Sequence, residues 1–489
     1  MKRMMLVWVM ILCLVPLGGW AESAAPTQPP PPPEWMPVVT PEPDNLKTCG
    51  DYQYVIQEDG TAAILKYNGS DRELVVPSAL DGVPVTVIGE CVFAYTWYKS
   101  VSLPDGLLEI GDSAFYMSAF DKDFEIPSSV RRIGNAAFYR SGIQHVNLTN
   151  GLTELGINAF AFCKMLTEVN LPEGMTKISD GAFQCCTSLE SIILPDSLTE
   201  IGHFAFYYTP LKEIRLPDGI QRLGIAAFED CEELTSIHLP DSIASVRGSP
   251  FSLCPALTEI TVSDSHPYLE LRDGVLFSKP DHRLLCYPSA LTATEYSVPE
   301  DVREIAEHAF RGNENLVKLW IPDGVTRMGE VAFSSCYAME EVRLPDALEA
   351  IPERAFAECE SLRVINMPSA LKSLGSDAFI GCASLTEIDI PAGVTDLPRT
   401  IFYACRSLTR VTLPDGLRTI AIHNFYGCKN LTSVNLPASI EFIEDHEFRM
   451  YDSNLGENIV IPGLTVIVTP GTYAEQYCQE QGIPYEYTE

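Results

Sequence analysis

The sequence predicts a repeat solenoid of the α/β type, with short parallel strands and about fifteen stacked units of 22–23 residues. Phenylalanine recurs at 93, 115, 138, 160, 183, 206, 228 and 251, then at 310, 333, 356, 379, 402, 425 and 448, in steps of 22 or 23 within each block. Proline keeps the same step at 104, 127, 172, 195, 217 and 240, then at 299, 322, 345, 368, 391, 414 and 437. Ahead of these prolines apolar and polar residues alternate, as in "LTEVNLP" at 166–172. A fixed period of this length marks stacked supersecondary units.

Each part of the unit has a physical task. Val169 and Leu171 stand two apart and share one side of a strand, with Glu168 and Asn170 on the other. Pro172 removes an amide donor and ends the pairing, and Glu173-Gly174 supplies a turn. The arc "MTKISDGAF" then turns Met175, Ile178, Ala182 and Phe183 inward, with a helical turn expected within it. One unit cannot bury its own apolar side, so copies stack at about 4.8 Å and the phenylalanines form a spine. Fifteen such steps predict a rod or arc on the order of 70 Å. The unit is broken locally by Thr149 in place of the turn proline, by the missing cysteine in 116–119, and by Pro250 in place of the alanine before Phe251.

Nine of the fifteen cysteines follow a spine phenylalanine by three residues: Cys163, Cys186, Cys231, Cys254, Cys336, Cys359, Cys382, Cys405 and Cys428. A metal site needs thiolates converging on one point, and one thiol per repeat does not converge. Disulfides between adjacent rungs fit the usual Cα separation of about 4.4–6.8 Å. Buried free thiols packing as small hydrophobes are the favoured reading. Cys49, Cys91, Cys185, Cys286 and Cys478 stand off the ladder.

The opening "MKRMMLVWVMILCLVPLGGWAESAAP" pairs Lys2 and Arg3 with an apolar run from Met4 to Leu17, followed by Gly19 and Ala21 placed for cleavage. It reads as a secretory signal peptide over 1–21, too short in its apolar core for a membrane span. Met10-Ile11-Leu12 are too bulky for Cys13 to be a lipidation site. Prolines at 26, 29–33, 37, 41 and 43 make 22–48 an extended linker. Lys and Arg total 33 against 66 Asp and Glu, a net charge of −33, which argues against a nucleic-acid partner and suits solubility outside a cell.

These units resemble leucine-rich repeats of the BspA-like class, over nearly everything from Asp51 onward. The opening "YVIQEDGTAAILKYNGSDRELVVPSALDGVPVTVIGECVFA" and the terminal "TPGTYAEQYCQEQGIPYEY" share in the likeness. The resemblance implies a leucine-rich repeat scaffold of secreted and surface proteins, associated with adhesion to host proteins, bacteria or surfaces. The expected organisation is a first repeat block over 49–254, an interrupting variant segment over 255–298, a second block over 299–468 and a cap over 469–489. In the interruption, Val275 to Phe277 and Leu284 to Tyr287 flank Lys279-Pro280-Asp281-His282 and predict a β-hairpin that serves as a variant repeat. "TYAEQYCQEQGI" predicts a short helix from Tyr473 to about Glu480 that closes the last core face.

No catalytic pattern assembles. HExxH, GxSxG and a phosphate-binding glycine loop are absent. Ser369 to Lys372 fits Ser-x-x-Lys only formally, since Leu371 belongs to the apolar arc. His308, His423 and His446, two residues before a spine phenylalanine, and His203, three before, are read as polar surface positions. Neither a cofactor nor a metal is called for. The outward strand face remains, and on it stand Glu168, Asn170, Glu213, Arg215, Ser236 and His238 in the first block. Lys318, Trp320, Glu341, Arg343, Glu387, Asp389, Arg410 and Thr412 follow in the second. An exposed Trp320 beside Arg343 has the composition of a binding hot spot.

The expected function is therefore a non-catalytic secreted or cell-surface protein that binds host extracellular or microbial surface proteins. The alternative is a self-associating element of the cell envelope without a foreign ligand. The recurring "LPDG" lacks the threonine of a sortase signal, and Asn68, Asn147 and Asn430 head glycan-acceptor patterns relevant only to a eukaryotic source.

Overall fold

The computed structural model describes residues 45–121, 125–444, 447–453 and 455–488. The expected signal peptide, most of the proline-rich stretch and His446 lie outside them. From Asn45 onward the chain forms one compact unit, a solenoid of about 18 turns.

Most repeats lay down an outward strand of about three residues whose middle side chain is buried, as in Glu168–Asn170. Its polar residues align with those of the next rung: His145 with Glu168 and Asn147 with Asn170, all parallel. The proline then opens a tight turn in which its carbonyl accepts the amide three residues on, as with Pro322 and Val325 at 3.0 Å. Thr149 does the same for Leu152 at 3.0 Å, so its substitution leaves the turn intact. The missing amide stops strand pairing, while the carbonyl still closes the turn.

The following arc differs from the sequence expectation. Instead of a helical turn it forms a second, two-residue strand, such as Lys177–Ile178, and then a corner around the phenylalanine. The corner amides bond to the next repeat rather than four residues back: Ser113 to Asn135 O, Phe115 to Ala137 O and Met117 to Tyr139 O, at 2.7–2.8 Å. Such alternation leaves no run of i→i−4 bonds from which a helix could grow. It also forces left-handed backbone two residues before and after the ring, for instance at Val331 (φ 60°) and Ser335 (φ 60°) around Phe333. Non-glycine residues at such φ cost roughly 1–2 kcal/mol each, which the inter-repeat hydrogen bonds and ring burial offset.

The rings stack as the period predicts. Phe138 and Phe160 lie 5.1 Å apart with planes 3° from parallel, and Phe356 and Phe379 5.5 Å apart at 4°. All are essentially without solvent exposure. One spine member escaped the phenylalanine count: Tyr287 stacks on Phe310 at 4.9 Å and begins the second column.

The interruption is built into the solenoid. Leu269–Arg272, Val275–Ser278 and Arg283–Cys286 form an antiparallel meander. Arg283 and Leu284 then pair in parallel with Glu304 and Ile305, which starts the next ladder. At the N-terminal side, Tyr52–Ile56 pairs antiparallel with Ala62–Tyr67, and the latter leads through Val83–Ile88 into the two-residue ladder at Glu109–Ile110. At the other end, Tyr473–Gln481 is the helix found among the described residues, with Gly482 (φ 66°) as its left-handed C-cap.

The cysteine ladder has a task beyond packing. Each ladder thiol donates to the carbonyl of the preceding repeat's spine phenylalanine, as Cys359 Sγ does to Phe333 O at 3.1 Å and Cys405 Sγ to Phe379 O at 3.2 Å. Where cysteine is missing at 118, Ser118 Oγ makes the same bond to Phe93 O at 2.7 Å. The position therefore selects a small donor. All fourteen described cysteines are free. Burial pushes the thiols of Cys163, Cys231 and Cys336 up to about 12, so they remain protonated donors at neutral pH.

Two outcomes follow. Phe333→Ala is expected to cost about 3–5 kcal/mol locally, seen as faster amide exchange in the repeats of Phe310 and Phe356 as well as its own. Cys359→Ser keeps the donor and should be more stable in urea than Cys359→Ala, by about 0.5–1 kcal/mol.

Candidate protein-binding face

The outward strands place the expected residues on one side, unevenly presented. Glu168 and Asn170 are exposed, and Asn170 Nδ2 donates to Glu168 Oε1 at 3.2 Å. Ser236 and His238 are exposed too, with His238 Nδ1 2.9 Å from Thr261 Oγ1. Glu213 and Arg215 are exposed but lie outside any strand. Around them the ladder thins to a single bridge, Asn170 with Ile193, and Ile193 is 86% exposed.

In the second block Glu295–Ser297, Lys318–Trp320, Glu341–Arg343 and Val364–Ile365 form one continuous parallel sheet. Trp320 sits in register between Ser297 and Arg343. It is half-buried, as are Lys318, Glu341 and Thr412, whereas full exposure was expected. Rungs about 4.8 Å apart cover both faces of a side chain as broad as an indole, so the flanking residues leave Trp320 partly open. Most cations here already have partners: Lys318 meets Glu295 at 3.5 Å, and Arg410 meets Glu387 at 2.9 Å and Asp389 at 3.4 Å. Arg343 is exposed, and among the described residues its guanidinium has no ion pair or hydrogen bond.

The two-residue strands carry a feature that the sequence analysis missed. From Glu109 to Arg327 the outward residues run Glu109, Arg132, Glu154, Lys177, Glu200, Arg222, Ser245, then Arg283 at the start of its longer strand, Glu304 and Arg327, and beyond them Ala350, Ser373, Asp396, Thr419 and Phe442 carry a single charge. Charges alternate along this column and pair between rungs: Arg132 with Glu109 at 2.5 Å and Glu154 at 3.4 Å, Glu200 with Lys177 at 2.9 Å and Arg222 at 2.5 Å. The signal lay in the residue before each arc's isoleucine or leucine.

The two blocks are joined by a buried ionic cluster. Glu229 is fully buried; its Oε2 bonds His308 Nδ1 at 2.6 Å and its Oε1 is ion-paired with Arg311 Nη1 at 2.6 Å. His308 was expected at the surface but is only 2% exposed. The interruption brings its corner against the Glu229 repeat, where Ser252 Oγ also donates to His308 O at 2.9 Å. Burial alone would raise the Glu229 carboxyl, yet Arg311 and His308 hold it below the ordinary carboxylate value. His203 is half-buried, its Nδ1 accepting the Ile225 amide at 3.0 Å, and His423 packs its ring 5.3 Å from Tyr426. No described group of three or more His, Cys, Asp or Glu is arranged to hold a metal ion. No described helix is long and apolar enough to cross a membrane.

The family model for the BspA type leucine rich repeat region matches residues 86–206, 199–272, 286–409 and 395–481. Among solved structures, the chain is similar to a leucine rich cell surface protein from Faecalibacterium prausnitzii, with 28% identity over 80% of this chain and 94% of that one, at a TM-score of 0.48. A leucine-rich repeat protein from Eubacterium ventriosum has 23% identity over 81% and 91%, with a TM-score of 0.49. The pneumococcal vaccine antigen PcpA has 19% identity over 91% and 98%, with a TM-score of 0.43. No curated protein matches the chain.

The buried carboxyls set a pH dependence. Burial pushes Glu447 up to about 8, although it accepts the amides of Asn424 and Phe425. Burial, then Glu229 and Glu232, pushes Asp230 up to about 7. Both keep a proton in the folded chain after the unfolded chain has lost it, so stability falls as pH rises from about 4 to about 8. Asp301, held at about 2 by Arg272, acts oppositely, and its contribution fades only below about pH 4. The melting temperature should therefore be higher near pH 5.5 than near pH 8.5, with the difference reduced in Asp230→Asn.

Proposed function

Since the chain belongs to the BspA type leucine-rich repeat family, we propose that it is a non-catalytic, secreted or cell-surface protein that binds another protein through its outward strand face. The observation that carries this reading is the pairing of Trp320 with Arg343 in one register. An indole already partly desolvated loses little entropy on being covered, and an uncommitted guanidinium offers a planar fork of donors. Further along the same face, Glu387, Asp389 and Arg410 suit a rim: they form an exposed network with one negative charge left over that gives specificity more than affinity. The acidic balance of the chain, −33, favours partners with basic surfaces for the rest of the contact. Host extracellular proteins and microbial surface proteins are the proposed partner classes, and extracellular placement rests on the signal-like leader.

A second reading, self-association, is favoured by the exposure of Phe442, Tyr451, Leu455 and Tyr487 in the C-terminal part of the solenoid. Sedimentation of the intact protein separates the two: a concentration-dependent assembly lost on changing these residues would favour self-association.

Binding to a panel of immobilised extracellular-matrix and plasma proteins tests the main reading. The native chain is expected to bind at least one member saturably, and the Trp320→Ala, Arg343→Glu double variant, folded by circular dichroism, to lose at least about tenfold in affinity. Equal binding by the two would remove this face from the function.

A further inference from the structure

Between Glu109 and Arg327 the alternating charge column breaks at one rung. Between Arg222 and Arg283 the outward residue is Ser245, where the alternation calls for an acid. This is also where the ladder is interrupted: Ser245 pairs back to Arg222, and the next ladder begins at Arg283. A cleft of about 450 Å³ opens there, lined by Ser245, by the guanidinium groups of Arg247, Arg283 and Arg327, and by the carboxylates of Asp281, Glu304 and Glu307.

The guanidinium groups of the cleft are unequally committed. Arg283 bonds Glu304 at 3.0 Å and the Arg247 carbonyl at 2.5 Å, and lies 3.6 Å from Asp281. Arg327 also pairs with Glu304. Arg247 is exposed, and its side chain has no ion pair or hydrogen bond among the described residues. Glu307 faces it only electrostatically, and burial, with Glu330 adding, raises the Glu307 carboxyl while His308, Arg283 and Arg247 oppose the rise.

We propose that this junction cleft is a second binding site, one that takes an acidic segment of a partner peptide and seats a carboxylate on Arg247 in the rung left open at Ser245. An incoming carboxylate restores the alternation by standing between Arg222 and Arg283, in the place that Glu200 and Glu304 occupy in their own rungs. Arg247 supplies the two parallel N–H donors of a bidentate pair. The large negative charge of the chain does not forbid this, because at physiological salt exposed charges beyond about 8 Å are screened and the local arginines decide. The site is independent of the Trp320 face.

Fluorescence anisotropy of a labelled hexaglutamate peptide with the intact protein is the test, with hexaglutamine as the neutral counterpart. Hexaglutamate should bind saturably, at least about tenfold more tightly than hexaglutamine. Arg247→Ala should weaken it by about tenfold or more. Ser245→Glu should do the same while leaving the urea midpoint unchanged or higher, because the chain's own carboxylate then fills the rung. Trp320→Ala with Arg343→Glu should leave the peptide affinity unchanged, which separates this site from the outward face. Absence of saturable hexaglutamate binding, equal binding of hexaglutamine, or full affinity in both Arg247→Ala and Ser245→Glu would overturn the proposal.

Discussion

Register between neighbouring repeats is the constraint on which the rest depends. At most corners the spine phenylalanine's amide is given to the next repeat, as Phe333 N to Ala355 O at 2.9 Å, and its carbonyl accepts a small donor of that same repeat, as from Cys359 Sγ at 3.1 Å. The backbone polar groups beside the most buried ring are thereby satisfied only by a neighbour in the right place. An unmet buried amide or carbonyl costs about 1–3 kcal/mol, so a slipped rung is penalised at each of these corners. The left-handed residues, the inward rings and the small donor three residues later are consequences of this one arrangement.

Much of this was legible because the period is strict. The spacing of phenylalanine located the spine, the alternation in "LTEVNLP" located the outward strand, and the ladder cysteines lie in the core as free thiols. What escaped had no periodic signal of its own. The two-residue strand is too short for alternation to register, and Tyr287 joined the spine under a different letter. The bonding role of Cys359 became visible only with its acceptor, a carbonyl 26 residues away. His308 was misplaced at the surface because its partner Glu229 is 79 residues distant in the chain. Sequence spacing reports neighbours in the stack, and the interruption creates neighbours that spacing does not report.

For the proposed face the lesson is similar. Alternation assigned Trp320 and Arg343 to the outward side, and the structure puts them in register. It could not tell that the indole would be half-covered, since that depends on the width of the flanking side chains against a fixed rung distance. Nor could it tell which cations are committed: Arg410 is held by two carboxylates while Arg343 and Arg247 are held by none among the described residues. A scaffold that satisfies its charges rung by rung makes its uncommitted arginines conspicuous. Arg215, Arg363, Arg399 and Arg406 are likewise without an ion pair or side-chain hydrogen bond among the described residues, and what sets Arg343 and Arg247 apart is place: one stands beside Trp320 on the outward sheet, the other in the cleft where the stack is broken.

The central claim is that one lattice of inter-repeat bonds runs through both blocks and across the interruption. Across it, Ser249 N donates to Glu307 O at 2.8 Å and Tyr287 N to Ala309 O at 2.7 Å. Hydrogen exchange of the native protein, resolved to segments by mass spectrometry, measures this directly. The account predicts that the segments holding Phe228, Ser249, Tyr287 and Phe310 are protected together and exchange with a common opening free energy. Free exchange through 249–310 between two separately protected blocks would contradict it.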